Sequence, residues 1–323
     1  MAVLMVNLVE KNSNIRPILV LSRCLNKEAV RYNGGIITDD FTKKLEKYIE
    51  VIRVCPEVDI GMPVPRPPVL LARIDEKIHM IEPESKKDYT EEIEKFSRKF
   101  LYSIKEVDGF ILKAKSPSCG VKDAKLYQEN FKNIIGKTDG LFTKIVRETY
   151  PYLPVEDEGR LHDFWIRQNF LTKVFAYADF RALKNKIEKV KDLIKFHQNY
   201  KYLLMLYSPS NLKKMGYLIA NWDRKGLEET LREYEKLFRD TFLKNQSIKS
   251  HINVIQHIYG HFSDLLKSNE KKHFQNLIKK LREDKIYLKI ILELIRNYVY
   301  RFEDEYLSKQ RYLYPYPEEL EEI

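Results

Sequence analysis

The chain holds three cysteines, Cys24, Cys55 and Cys119, and each follows a short apolar run that ends in a turn. Ile18-Leu19-Val20-Leu21-Ser22-Arg23 leads to Cys24, and Val51-Ile52-Arg53-Val54 leads to Cys55-Pro56-Glu57. The stretch 107–115, VDGFILKAK, leads to Ser116-Pro117-Ser118-Cys119-Gly120. Three thiols cannot all pair within one chain, and none lies in a Cys-x-x-Cys zinc pattern. They are ordinary buried thiols, a disulfide pair with one spare, or metal ligands. Their shared place beside turn residues and a carboxylate favours metal.

A structural zinc site wants four protein ligands, yet no fourth sulfur exists and His79 is the only histidine in the first 150 residues. An iron-sulfur cluster is the other solution. Three thiolates on a four-iron cluster leave one iron open, and an open Lewis-acidic iron can bind a soft sulfur atom and polarise its bond to carbon. Glu57 and Ser116 flank this point, one as proton carrier or water activator and the other as hydroxyl donor. Either residue could equally be a turn hydrogen-bonder.

Positioning these groups requires strands. A run rich in Ile, Leu, Val and Phe bounded by turn residues is a buried strand, and an open parallel sheet gathers the residues beyond its carboxyl ends into one crevice. The expected fold is therefore an α/β open, mostly parallel sheet in an N-terminal domain, residues 1–158. Asp39 or Asp40 caps a helix to about Tyr48, and Asp88 with Glu91 resembles a capping box opening a helix to Lys105. Residues 69–72 and 77–81 form a short hairpin or edge strands. The loop 61–68, GMPVPRPP, offers Arg66 to an anion or is merely structural. From Asp163 the pattern changes to long helical periodicities, at 163–178, 183–207, 210–219, 227–242, 251–266, 273–282 and 286–302. Residues 159–323 thus form an all-α helical C-terminal domain.

The net charge is +10, and it is unevenly spread. Residues 181–323 carry 28 Lys plus Arg against 20 Asp plus Glu, leaving 29 against 27 for the rest. Such asymmetry points to a polyanion, nucleic acid before membrane, or to a solvated Lys- and Glu-rich surface. Lys271, Lys272, Lys279, Lys280 and Arg282 form the densest basic run, as phosphate contacts or as a solvated helix face. His197, Lys201, Tyr202 and Tyr207 face RNA or belong to the core. No run approaches a membrane span, and residues 1–8 are briefly apolar without the basic start of a signal peptide, so a cytoplasmic protein is expected. Oligomeric state stays open.

Ser22-Arg23-Cys24-Leu25, Arg31-Tyr32-Asn33-Gly34-Gly35, Val54-Cys55-Pro56-Glu57, Pro65-Arg66-Pro67-Pro68 and Lys115-Ser116-Pro117-Ser118-Cys119-Gly120 together resemble the TudS thiouracil desulfidase family. The resemblance implies a 4Fe-4S cluster held by Cys24, Cys55 and Cys119, with Glu57 and Ser116 assisting desulfuration. Asn33 stands where the family would have Asp. In the second half, Leu153-Pro154-Val155-Glu156-Asp157-Glu158-Gly159-Arg160-Leu161, Arg167-Gln168-Asn169-Phe170, Phe175-Ala176-Tyr177, Phe196-His197, residues 201–209 and Tyr312-Leu313-Tyr314-Pro315-Tyr316-Pro317 are similar to the YbgA-like domain. That domain follows a TudS-type domain in RudS-type enzymes. The combination implies a desulfidase converting 4-thiouridine in tRNA to uridine with release of sulfide and no net redox change. Two rivals remain: a desulfidase of free thiolated pyrimidine nucleobases or nucleotides, and a non-catalytic RNA-binding protein with a structural metal site.

Overall fold

A computed structural model describes residues 15–321. The apolar stretch 1–8 lies outside the described residues. The chain divides into two compact units, Arg16–Ala178 with the chain from Glu319, and Asp179–Glu318 with Ile15. This division falls inside a helix, beyond the 158/159 boundary drawn from the sequence. The first half of that helix packs on the sheet: Val174 reaches Gly109, and Tyr177 Oη donates to Tyr152 O at 3.0 Å.

The first unit runs β1 (Ile18–Ser22), α1 (Asp40–Leu45), β2 (Glu50–Val54), the one-turn helix α2 (Pro56–Asp59), β3 (Leu70–Ile74), β4 (Lys77–Ile81), α3 (Thr90–Ser103), β5 (Gly109–Leu112), β6 (Ala124–Gln128), β7 (Ile134–Thr138), α4 (Leu141–Thr149) and β8 (Val155–Asp157). Its main sheet has the order β2-β1-β5-β8 with every pairing parallel. Leu19, Val20 and Leu21 and all of β5 are buried. That is why these strands read as unbroken apolar runs rather than alternations. Asp108 ties the sheet together: its N–H donates to Ile18 O and its Oδ2 accepts from Ile18 N, both at 2.8 Å. Gly109 follows because a Cβ there would stand 3.1 Å from Pro154 O.

A second sheet, β4-β3-β6-β7, joins the expected hairpin β3-β4 to β6 in parallel and to β7 beyond it. The sequence did not announce β7, because Ile134 and Ile135 are both exposed and leave no burial alternation. The α1 cap is as expected, with Asp39 Oδ1 accepting from Thr42 N at 2.7 Å. The capping box at α3 is not formed. Asp88 instead accepts from Thr90 N at 2.8 Å and lies 2.7 Å from His79 Nδ1, so Asp88 and His79 occupy each other.

Among the described residues seven α-helices follow: α5 (Phe164–Lys186), α6 (Val190–Tyr207), α7 (Pro209–Ala220), α8 (Leu227–Phe242), α9 (Ile248–Tyr259), α10 (Ser268–Arg282) and α11 (Leu288–Arg301). The second unit is thus all-helical. Phe180, Phe196, Tyr234 and Phe238 stack at its centre. His197 belongs to this core: Nδ1 lies 3.2 Å from Tyr234 Oη, and burial pulls its pKa down to about 4. Tyr202 and Tyr207 are buried there too. Among the described residues no helix is long and apolar enough to cross a membrane.

Asp39 is buried and serves twice, since its Oδ2 also lies 2.9 Å from His162 Nε2. Asp39→Ala is expected to destabilise the first unit by about 1–2 kcal/mol, read as a lower urea midpoint with unchanged slope. An unmoved midpoint would mean that the cap adds nothing there.

Candidate active site

The connection from β1 leads toward β2 on one side, and the chain later returns through β5 on the other side of β1. Loops leaving the carboxyl ends of β1 and β5 therefore diverge, and the gap between them is where an open parallel sheet takes ligands. Cys24 lies just past β1, Cys55 directly follows β2, and Cys119 ends the loop after β5. Cys24 and Cys119 are buried, Cys55 is half-buried, and all three are free thiols.

The thiols are electrostatic neighbours. Burial pushes Cys24 up to about 12, with the Cys55 sulfur adding to the shift and Lys113 and Arg31 opposing it. Burial also raises Cys119, reinforced by Cys55 and Cys24 and opposed chiefly by a hydrogen bond from Ser22. Cys55 is raised by burial and eased by the Val58 backbone. Among the described residues no three His, Cys, Asp or Glu side chains stand so as to hold a single metal ion. A donor set of three mutually felt thiols suits a cluster, where each thiolate takes a different iron and the sulfurs stand further apart than around one ion.

Glu57 reaches the thiols because Pro56 opens α2 at its first position, placing Glu57 in the first turn beside Cys55. Its carboxylate is buried and fully addressed. Oε2 accepts from Arg66 Nε at 2.9 Å and Nη2 at 2.5 Å, and Oε1 accepts from Ser118 Oγ at 2.7 Å. Ser118 Oγ is also 3.7 Å from Cys119 Sγ. The hydroxyl in direct contact with Glu57 is therefore Ser118, which the sequence reading passed over. Ser116 stands one step back: its Oγ is 3.0 Å from Ser118 Oγ and accepts from Cys119 N at 3.1 Å. The signal available was the Ser-Pro-Ser spacing, which puts two hydroxyls on one turn without saying which points inward.

Arg66 is not held ready for an anion. Besides Glu57, its Nη1 donates to Val30 O at 3.1 Å and Pro63 O at 3.3 Å, so its burial is balanced entirely within the fold. Lys113 is likewise ion-paired to Glu158, whose Oε2 accepts from Ala114 N at 2.8 Å. On α10, Lys272, Lys279, Lys280 and Arg282 are exposed and Lys271 is half-buried, while Phe274, Ile278 and Leu281 face inward.

The Cys119 turn is held by the start of α4, whose free N–H groups need acceptors. Leu141 N donates to Pro117 O at 3.1 Å, Phe142 N to Ser118 O at 2.9 Å, and Thr143 Oγ1 to Cys119 O at 2.8 Å. The approach is closest at Gly140, where a Cβ would lie 2.4 Å from Ser118 O.

Residues 19–158 match the family model 2-thiouracil desulfurase, and residues 201–317 match DUF1722, a protein of unknown function. The uncharacterized protein YbgA of Escherichia coli is 25% identical over 148 residues, covering 46% of this chain and 88% of that protein. The solved 4Fe-4S-dependent thiouracil desulfidase TudS is 26% identical with a TM-score of 0.37, covering 45% of this chain and 93% of that one. The N-terminal unit is thus of a desulfidase enzyme family. The chain is a TudS-type domain fused to a YbgA-like domain.

Gly140→Ala drives a methyl group into the Ser118 carbonyl and is expected to cost about 1–3 kcal/mol, measured by urea unfolding of the full chain. Unaltered stability would show that α4 can withdraw from the turn at no cost.

Proposed function

We propose that the chain is an iron-sulfur-dependent desulfidase that converts 4-thiouridine in tRNA to uridine and releases sulfide. The observation that carries this reading is the meeting of three thiols with the Glu57–Ser118 pair, inside the domain that matches 2-thiouracil desulfurase. Cys24, Cys55 and Cys119 would hold a 4Fe-4S cluster, and their supply of three sulfurs leaves the fourth iron without a cysteine. Bound there, the cluster supplies a Lewis-acidic iron with affinity for soft sulfur.

The remaining work falls to the protein. Replacing sulfur by oxygen forms one carbon–oxygen bond to water and breaks the carbon–sulfur bond. No electrons are gained or lost overall. A proton must leave the attacking water and another must reach the departing sulfide, which is the work of a general base and a relay. Glu57 Oε1 is the base, since Arg66 occupies only Oε2. The hydroxyls of Ser118 and Ser116 form the relay: Ser118 Oγ lies 2.7 Å from Glu57 Oε1, and Ser116 Oγ lies 3.0 Å from Ser118 Oγ. Arg66 fixes the carboxylate's orientation. The basic excess of residues 181–323 supports a polyanionic substrate, and a nucleoside within tRNA must leave its stack to reach the crevice.

The test uses full-length, anaerobically reconstituted protein with thiolated tRNA beside free 4-thiouridine monophosphate, reading sulfide and loss of 4-thiouridine absorbance. Turnover of tRNA is expected, with Glu57→Gln slower by about 10²-fold or more and Cys24→Ser short of iron. Turnover of the monophosphate alone would move the substrate to free nucleotides. Turnover of neither by iron-replete protein would overturn the desulfidase reading.

A further inference from the structure

Ser22 is the last residue of β1, the strand that lies between β2 and β5 in the main sheet. It is only 2% exposed, so its hydroxyl needs partners inside the protein. Its place ties it to all three cysteines. Ser22 O accepts from Leu25 N at 3.0 Å, closing the turn that carries Cys24. Across the ladder Ser22 pairs with Val54, the residue before Cys55. The side chain serves the third: Ser22 Oγ accepts from Lys113 N at 2.9 Å and bonds the Cys119 sulfur.

The protons give that second bond its direction. The Lys113 amide already occupies an acceptor position on Ser22 Oγ, and the hydroxyl proton remains to be given. Among the described residues the Cys119 sulfur is the acceptor the structure shows for it. The other hydroxyl near that sulfur, Ser118 Oγ, stands 3.7 Å away and gives its proton to Glu57 Oε1 at 2.7 Å. Ser22 is therefore the hydroxyl left to the thiol, and it takes no part in the Glu57 relay. Nor do the nearby cations replace it, since Lys113 is ion-paired to Glu158 and Arg66 to Glu57.

We propose that Ser22 is a positioning residue of the thiol site, whose hydroxyl donates to the Cys119 sulfur and so weakens that ligand's electron donation to the metal centre. The inference rests on the reading of Cys24, Cys55 and Cys119 as cluster ligands. A thiolate bound to iron shares its charge with the metal, and a hydrogen bond to the same sulfur draws part of that charge back. Hydrogen bonds to the sulfurs are among the influences that set the potential of an iron-sulfur centre. A less donating ligand leaves the irons more electron-poor, which favours capture of a soft sulfur atom. A purely structural serine, holding β5 to β1 through Lys113 N, would leave the electronic properties of the centre untouched.

The experiment compares the full-length, anaerobically reconstituted wild type with Ser22→Ala and Ser22→Thr at equal iron content. The midpoint potential is read by mediated redox titration and the iron–thiolate stretching bands by resonance Raman scattering. Loss of the donor in Ser22→Ala should lower the potential and move an iron–thiolate band to higher frequency, because the released thiolate binds iron more strongly. Ser22→Thr keeps a hydroxyl and should stay near wild type. Desulfuration by Ser22→Ala is expected to slow about tenfold. An unchanged potential and unshifted bands in Ser22→Ala overturn the proposal, as does a Ser22→Thr that shifts to the same extent. Should Ser22→Ala hold no cluster, Ser22→Cys takes its place, since a thiol fills similar space and donates more weakly. Shifts in the same direction then sustain the bond, and their absence overturns it. A potential that depends on the Ser22 hydroxyl in iron-replete protein without turnover leaves the hydrogen bond standing while the desulfidase reading falls. Wild-type protein that takes up no cluster overturns both.

Discussion

The Arg66 guanidinium is the constraint on which the site depends. It is a buried ion pair with Glu57, and such pairs add little net stability because desolvation of both groups offsets their attraction. Its contribution is geometric. One planar group fixes the carboxylate through two bonds that converge on Oε2, the 30–32 loop through Val30 O and the 61–68 loop through Pro63 O. Without Arg66 the carboxylate would be buried without a countercharge, a penalty of about 3–5 kcal/mol, and α2 and the two loops would lose their common anchor.

A second constraint is the topology of the sheet. Three cysteines separated by 31 and 64 residues meet only because parallel strands deliver all their carboxyl ends to one edge. Antiparallel pairing of any two would send one thiol to the opposite edge. The tight Asp108–Ile18 pairing matters for this reason, since it sets the register of β5 on β1 and with it the height at which the Cys119 loop begins. The close approach of α4 at Gly140 then fixes how far that loop can extend.

Much of this was legible in the sequence. The three cysteine-terminated runs gave the parallel strands because full burial on two faces leaves no alternation to be mistaken for a surface strand. The helices from Phe164 onward showed their 3.6-residue period over several turns each. What escaped had specific physical causes. The strand β7 carries exposed isoleucines, Asp88 found His79 across the chain instead of closing a local box, and the pairing of Arg66 with Glu57 joins two loops that no periodicity connects. Ser118 escaped for a subtler reason: two serines on one turn differ only in which way the backbone points them.

That difference divides their labour. Ser116 Oγ accepts the amide protons of Ser118 and Cys119, which consumes its lone pairs and leaves its own proton to be given away. Ser118 Oγ lies within reach of it and gives its proton to Glu57 in turn. The hydroxyls are therefore ordered in one direction, each donating toward a carboxylate whose second oxygen is already covered by Arg66. A hydroxyl at 118 alone would fill the acceptor on Glu57 but have no donor behind it. Ser116 at one remove from the thiols keeps the wire polarised toward Glu57 and holds the turn that carries Cys119, so the same residue serves proton order and ligand position.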